Sequence, residues 1–262
     1  IGDFAFSECT SLKQVKMNIR HFLTHIGNYA FNKCISLKRI RIPYTVINIG
    51  ESAFSECISL TQISIPSSVT HIGNSCFYSC ESLDEITLPS SVTKIEDSVF
   101  YNCSSLSEII IPPTVIEIGN FSFYFCSMLI HIVIPSSVDQ IGDYSFYGCE
   151  SLTYFAIPSS LTKLGNCALH ECKKISEIKI LKTYRERRIK YLEDKFIIYK
   201  SDPADKIYDT LVWIKPNIKK ITIPSFIKKI GPYVFQGYET LSQIKIPTSV
   251  TKIGEKAFSK CK

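Results

Sequence analysis

Tryptophan occurs once and methionine twice in these 262 residues, histidine only five times. No apolar run approaches the roughly 18 residues of a membrane-spanning helix. No Gly-rich phosphate loop, His-Glu-x-x-His pair or Ser elbow occurs, which removes the usual sequence routes to nucleotide, zinc-protease and hydrolase chemistry. The histidines are scattered at His21, His25, His71, His131 and His170. His25 and His71 share a pattern position with Asn48 between them, which sets them roughly 10 Å apart at strand spacing, too far for one metal. The sequence therefore predicts no enzyme, no cofactor and no metal site. It opens on Ile1-Gly2 and closes on Cys261-Lys262, both inside a repeating pattern, and so reads as a segment of a longer protein without a visible leader.

What the chain has in abundance is rhythm. Cys34, Cys57, Cys80, Cys103, Cys126, Cys149 and Cys172 follow one another at 23 residues, and each stands three residues after Phe31, Phe54, Phe77, Phe100, Phe123, Phe146 or Leu169. One 23-residue unit cannot bury its own apolar stripe, so consecutive units must stack and share a core. Within a unit, Leu60, Ile63 and Ile65 alternate with polar Gln62 and Ser64, the pattern of a half-buried strand that Pro66 ends. Ser67-Ser68-Val69 turns the chain into a second short extended piece, Gly73 is expected at a positive-φ corner, and Asn74 to Ser79 reads as one helical or 3₁₀ turn. Stacking places equivalent residues in columns: a phenylalanine spine from Phe6 to Phe258, with the small residues of the Ala5 column beside it. The expected fold is an α/β solenoid of about ten 23-residue coils, with a parallel sheet on one face, helical or 3₁₀ turns on the other and a β-hairpin interruption.

The eleven cysteines invite a disulfide reading. Column neighbours would lie close enough, but their Cβ vectors run parallel instead of converging, so buried free thiols are expected. Tyr238 stands at the same position in a later unit, so sulfur chemistry is not required there.

The consensus Leu-x-x-Ile-x-Ile-Pro-x-Ser-Val-x-x-Ile-Gly-x-x-Ala-Phe-x-x-Cys resembles the Treponema-type leucine-rich repeat of BspA-like proteins. It extends through ten Ile-Gly-type corners, with Glu96 replacing glycine in one and Leu164 replacing isoleucine in another. The resemblance implies a surface-associated or secreted protein used in adhesion or host interaction. An intracellular scaffold docking a filament or assembly partner in the cytoplasm is the alternative.

The repeat falters at Asn18 to Phe22, which replaces the Pro-x-Ser turn and carries two surplus residues, and breaks after Ile180. This predicts leucine-rich repeats over 1–181, an irregular segment and β-hairpin over 182–216, and repeats again over 217–262. Tyr184, Ile189 and Leu192 are loosely at helical spacing. Lys195 to Lys200 and Lys206 to Ile214 read as the hairpin strands, joined by the five residues 201–205. Trp213, in this segment, is either an interface anchor or a plug for the interrupted core. Charge also divides here. Residues 1–172 carry 9 basic and 15 acidic side chains, whereas 173–262 carry 21 and 9. A basic binder of anionic polymer would use Arg185, Arg187, Arg188 and Lys190, though no nucleic-acid module accompanies them.

On the parallel sheet, two columns should face outward. One includes Glu85, Glu108, His131, Tyr154 and Glu177; the other includes Thr87, Ile110, Val133, Ala156 and Lys179. Ile110, His131, Val133, Tyr154 and Ala156 therefore form the candidate partner-binding patch, for a host, extracellular-matrix or assembly protein. Two glycosylation sequons, Asn102-Cys103-Ser104 and Asn120-Phe121-Ser122, fall in turns.

Overall fold

The structure, a computed structural model, describes residues 1–17, 23–181, 189–193, 195–200, 202 and 207–261. The alternating apolar residues of each unit form a first strand, for example Arg39–Arg41, Gln62–Ser64 and Glu85–Thr87, whose central isoleucine points inward. These strands pair in parallel with the register that a 23-residue period demands: Arg39 opposite Gln62, Gln62 opposite Glu85, Glu85 opposite Glu108. A second two-residue strand follows each Ser-Val turn, as at Asn48–Ile49 and His71–Ile72, and pairs in parallel on an adjoining wall.

The third wall is not helical. No helix occurs among the described residues, so the coil is all β strand and turn. Ser75 and Ser79 adopt φ of 54° and 53°, and equivalent residues from Phe4 to Lys260 do likewise. The left-handed residues alternate the direction of the backbone N–H groups. Ser75, Phe77 and Ser79 donate to Asp97, Val99 and Tyr101 of the next coil at 2.9, 2.9 and 2.7 Å, while Cys76, Tyr78 and Cys80 close local turns. A helix would spend all these donors internally. Left-handed backbone costs about 1–2 kcal/mol per non-glycine residue, a cost that the added coil-to-coil bonds offset.

The corner glycines serve a different purpose from the one expected. Gly73 does not have positive φ; a Cβ built there would stand 2.5 Å from the backbone nitrogen of Glu51. Glycine is needed because adjacent coils touch backbone to backbone. Glu96 shows the consequence of a side chain at this position. Gly50, Gly73 and Gly119 each donate to the preceding coil at 2.8 to 2.9 Å, but Glu96 makes no such bond to Ile72. The second-strand wall accordingly divides, with His25–Ile26, Asn48–Ile49 and His71–Ile72 in one sheet and Lys94–Ile95 starting another. The Glu96 carboxylate instead meets Lys94 Nζ at 2.9 Å. In Glu96→Gly, the amide at position 96 should exchange at least tenfold more slowly as the seam closes. Net stability should move by less than about 1 kcal/mol, because the regained hydrogen bond offsets a lost surface ion pair and the entropy of glycine. Amide hydrogen exchange with chemical denaturation checks both.

The core is built of columns. Phe6 through Phe146 stack at centroid separations of 5.0 to 5.7 Å. Beside them every cysteine is a free thiol. Each column thiol after Cys9 up to Cys172 donates to the carbonyl of the phenylalanine one coil earlier, as Cys103 does to Phe77 at 3.2 Å and Cys126 to Phe100 at 3.2 Å. Tyr238 fills the thiol position where the preceding coil has no Phe turn, and its longer side chain reaches the Ile214 carbonyl at 2.5 Å.

The interruption contains three antiparallel strands. Ile189–Leu192, which had suggested helical spacing, is a strand; it pairs with Phe196–Tyr199, which pairs in turn with Thr210–Ile214. That ladder closes at Tyr199 opposite Thr210, so 207–209 lie outside the second hairpin strand that the sequence reading began at Lys206. Thr210–Ile214 then pairs in parallel with Lys229–Ile230, and Leu211 takes the place of a column isoleucine.

Candidate functional site

The first-strand columns place the candidate patch as its register requires. His131 lies opposite Tyr154 and Val133 opposite Ala156, while Thr87 lies opposite Ile110 in the preceding sheet. Strands Glu108–Ile110 and His131–Val133 lie side by side without pairing, so the patch straddles a division between two sheets. Ile110 is 70% exposed and Val133 49%, large values for branched aliphatic side chains. Ile130 and Met128 are also exposed, and both adjoin this surface in the same coil.

Ala156 does not belong to the exposed patch. It is fully buried, its methyl lying between the longer side chains of Val133 and Lys179 on the flanking strands. Tyr154 is half-buried. His131 is exposed with Nε2 3.8 Å from Glu108 Oε1. Glu85 and Glu177 continue the column on either side. The result is an apolar centre of Ile110, Ile130 and Val133 bordered by carboxylates, with one imidazole and one phenol as hydrogen-bonding groups.

The secondary candidates separate. Trp213 is 7% exposed and joins the core, which is the plug reading; it is no exposed anchor. Lys190 is exposed on the strand Ile189–Leu192. Arg185, Arg187 and Arg188 lie outside the described residues. Both sequon asparagines already use their side chains: Asn102 Nδ2 donates to Ser79 Oγ and Glu81 Oε1, and Asn120 Nδ2 to Asp97 Oδ2 at 3.1 Å. His25 and His71 flank Asn48, and no three His, Cys, Asp or Glu side chains converge among the described residues.

A second surface escaped the sequence reading. On the turn wall, Tyr78, Tyr101, Tyr124, Tyr147 and His170 stack in a half-buried ladder at 4.5 to 5.4 Å, with Phe121, Phe125 and Tyr144 against it. The signal was present as an aromatic one residue after the spine phenylalanine in four successive units. Because the ladder rings cover one another's faces, this surface offers mainly ring edges. Burial pushes the Tyr147 phenol up to about 12, with Glu171 adding to the shift, so this phenol stays uncharged at physiological pH.

Comparison with known proteins accords with this geometry. The model of the BspA type leucine-rich repeat region matches residues 1–129, 93–195 and 205–262, in six copies. The chain belongs to the BspA-type leucine-rich repeat family. Among solved structures, this BspA-type array is similar to a leucine rich cell surface protein of Faecalibacterium prausnitzii, at 26% identity and TM-score 0.74 over 95% of the chain. It spans 66% of that protein. It is also similar to a leucine-rich repeat protein of Bacteroides ovatus, at 25% identity and TM-score 0.53, over all of this chain and 79% of the other. The pneumococcal vaccine antigen PcpA shares the fold at 18% identity and TM-score 0.57, over 99% of this chain and 61% of that one. No curated protein matches. Among the described residues, no helix is long and apolar enough to cross a membrane.

Proposed function

We propose that this array is a non-enzymatic protein-recognition module that binds its partner through the sheet face centred on Ile110, His131, Val133 and Tyr154. The observation that carries the reading is the run of exposed aliphatic side chains on adjacent coils, Ile110 then Ile130 and Val133, at positions that other coils fill with polar residues such as Ser64 and Thr87. A rigid strand scaffold holds these groups at fixed spacing, so binding loses little conformational entropy. Desolvating an aliphatic centre supplies affinity, and the Glu85, Glu108 and Glu177 border supplies specificity for a partner with basic groups around an apolar contact. The Faecalibacterium relative is described as a cell surface protein. This favours surface-associated adhesion, with a host or extracellular-matrix protein as the partner.

The double variant Val133→Asp, Tyr154→Ala tests this. Surface plasmon resonance against a panel of purified extracellular-matrix proteins should show an interaction that the variant weakens at least tenfold, with circular dichroism and thermal midpoint unchanged. Equal affinity for variant and parent would refute the sheet-face reading. Val133 is half-exposed and Tyr154 is outside the stacked core, so the array should fold normally.

A further inference from the structure

Among the described residues, one coil of this solenoid lacks its turn. Up to the interruption, each turn passes its hydrogen bonds to the next: Tyr144, Phe146 and Gly148 donate to the carbonyls of Asn166, Ala168 and His170 at 2.8 to 2.9 Å. The following turn has no successor among the described residues, because Thr210–Ile214 supplies only the second strand of its coil. The N–H groups of Cys167, Leu169 and Glu171 consequently have no acceptor among the described residues. Across the gap, the carbonyls of Pro232 and Val234 accept no hydrogen bond among the described residues, although their neighbours Tyr233 and Phe235 donate normally onward to Glu255 and Ala257.

Three independent features mark the same place. A cavity of about 630 Å³ opens between these turns, within the range of ligand pockets. The phenylalanine spine is missing a member between Leu169 and Phe235. The hydrophobic core also divides here into two clusters, one holding Leu169 and Trp213 and the other holding Leu211 and Phe235. Only side chains span the rim: the His170 imidazole meets the Gln236 carbonyl, and the Tyr144 ring lies against Tyr233 at 6.4 Å.

We propose that this gap is a binding slot for a peptide segment of a partner protein, which enters in line with the coils and supplies the missing turn. Its backbone carbonyls accept from Cys167, Leu169 and Glu171. Its N–H groups donate to Pro232 and Val234. A phenylalanine on the segment fills the spine position above Val212, Trp213 and Tyr238, joining the two core clusters. The mode is that of a strand added to an exposed edge, here with an edge on both sides, so main-chain bonds give affinity and the buried aromatic gives specificity. The slot lies on the turn wall and is independent of the sheet-face patch.

Trp213 is the only tryptophan and lines the slot, so its emission reports occupancy directly. The probe is a synthetic octapeptide, Gly-Asp-Tyr-Ser-Phe-Tyr-Gly-Cys, which is the array's own Gly142–Cys149 turn. Titrated into the intact array with excitation selective for tryptophan, it should give a saturable blue shift, and a control peptide with alanine for phenylalanine should bind at least tenfold more weakly. Hydrogen exchange should slow at least tenfold at Cys167, Leu169 and Glu171. Absence of a saturable shift at millimolar peptide, equal binding of the control, or binding without protection of those amides would each overturn the proposal. The Val133→Asp, Tyr154→Ala variant should give the same titration as the parent, which separates a failure of this slot from a failure of the sheet face.

Discussion

Phe123→Ala should lower the free energy of unfolding by about 3–5 kcal/mol, the cost of removing a fully buried aromatic and leaving a cavity. Phe123 is completely buried, and its ring stacks on Phe100 at 5.3 Å and on Phe146 at 5.1 Å. The loss exceeds that at an ordinary core site in one respect: two coil interfaces lose their aromatic contact together. Because coils contact only their neighbours, the defect should also divide cooperativity. Denaturation followed by far-ultraviolet circular dichroism should show a lower midpoint and a shallower transition, whereas a change under 1 kcal/mol would show that the spine is not the principal tie between coils. Phe258→Ala, with a stacking partner on one side only, is the comparison.

Alkaline pH should destabilise the array more steeply than is usual for a protein of this size. Burial is the largest cause raising the thiols of Cys57, Cys80, Cys103, Cys126 and Cys149 far above their ordinary range, reinforced by neighbouring cysteines; Cys34 is pushed up to about 11. In the unfolded chain these thiols titrate near a pKa of about 8.5. A group whose folded pKa is raised contributes its full stability below the unfolded value and loses it as pH rises toward the folded one. Each such thiol therefore removes up to about 1.4 kcal/mol per pH unit above roughly pH 8.5. Denaturation midpoints measured between pH 7.5 and 9.5 should fall progressively. Cys103→Ala with Cys126→Ala, less stable at pH 7.5, should show a shallower decline, by up to about 2.7 kcal/mol per pH unit at the upper end. Parallel declines in parent and variant would show that the thiols are not responsible.

The coil, its period and its columns were legible because stacking forces every unit to repeat the same inward residues, and Phe100, Cys103 and Ile109 declare that repeat directly. The turn wall was misread because its conformation lies in the handedness of single residues. Serine, glutamate, tyrosine and lysine occupy the left-handed positions at Ser75, Glu56, Tyr29 and Lys33, where glycine or asparagine would have announced them. Gly73 misled in the opposite sense, since the same residue type answers to close approach as readily as to positive φ. In the candidate patch, Ile110 and Val133 followed from strand alternation alone. Ala156 did not, because the exposure of a methyl group depends on the length of its neighbours. The unfilled turn was beyond the sequence for a related reason: it depends on which wall Thr210–Ile214 joins, and no local pattern in those residues states that.

The Glu96 seam has a mechanical meaning. A pull along the long axis of the solenoid loads the bonds between coils end-on, so the coils separate rung by rung instead of sharing the force. The rung at Glu96 already lacks the bonds that Thr93 and Glu96 would give to Thr70 and Ile72 of the preceding coil. The coils before the interruption, held on both sides of this seam, would therefore yield there early, lengthening by the release of a single junction while the stacked phenylalanines on either side stay closed. A side chain in place of a hydrogen atom thus adds a preset point of extension to the one left by the unfilled turn.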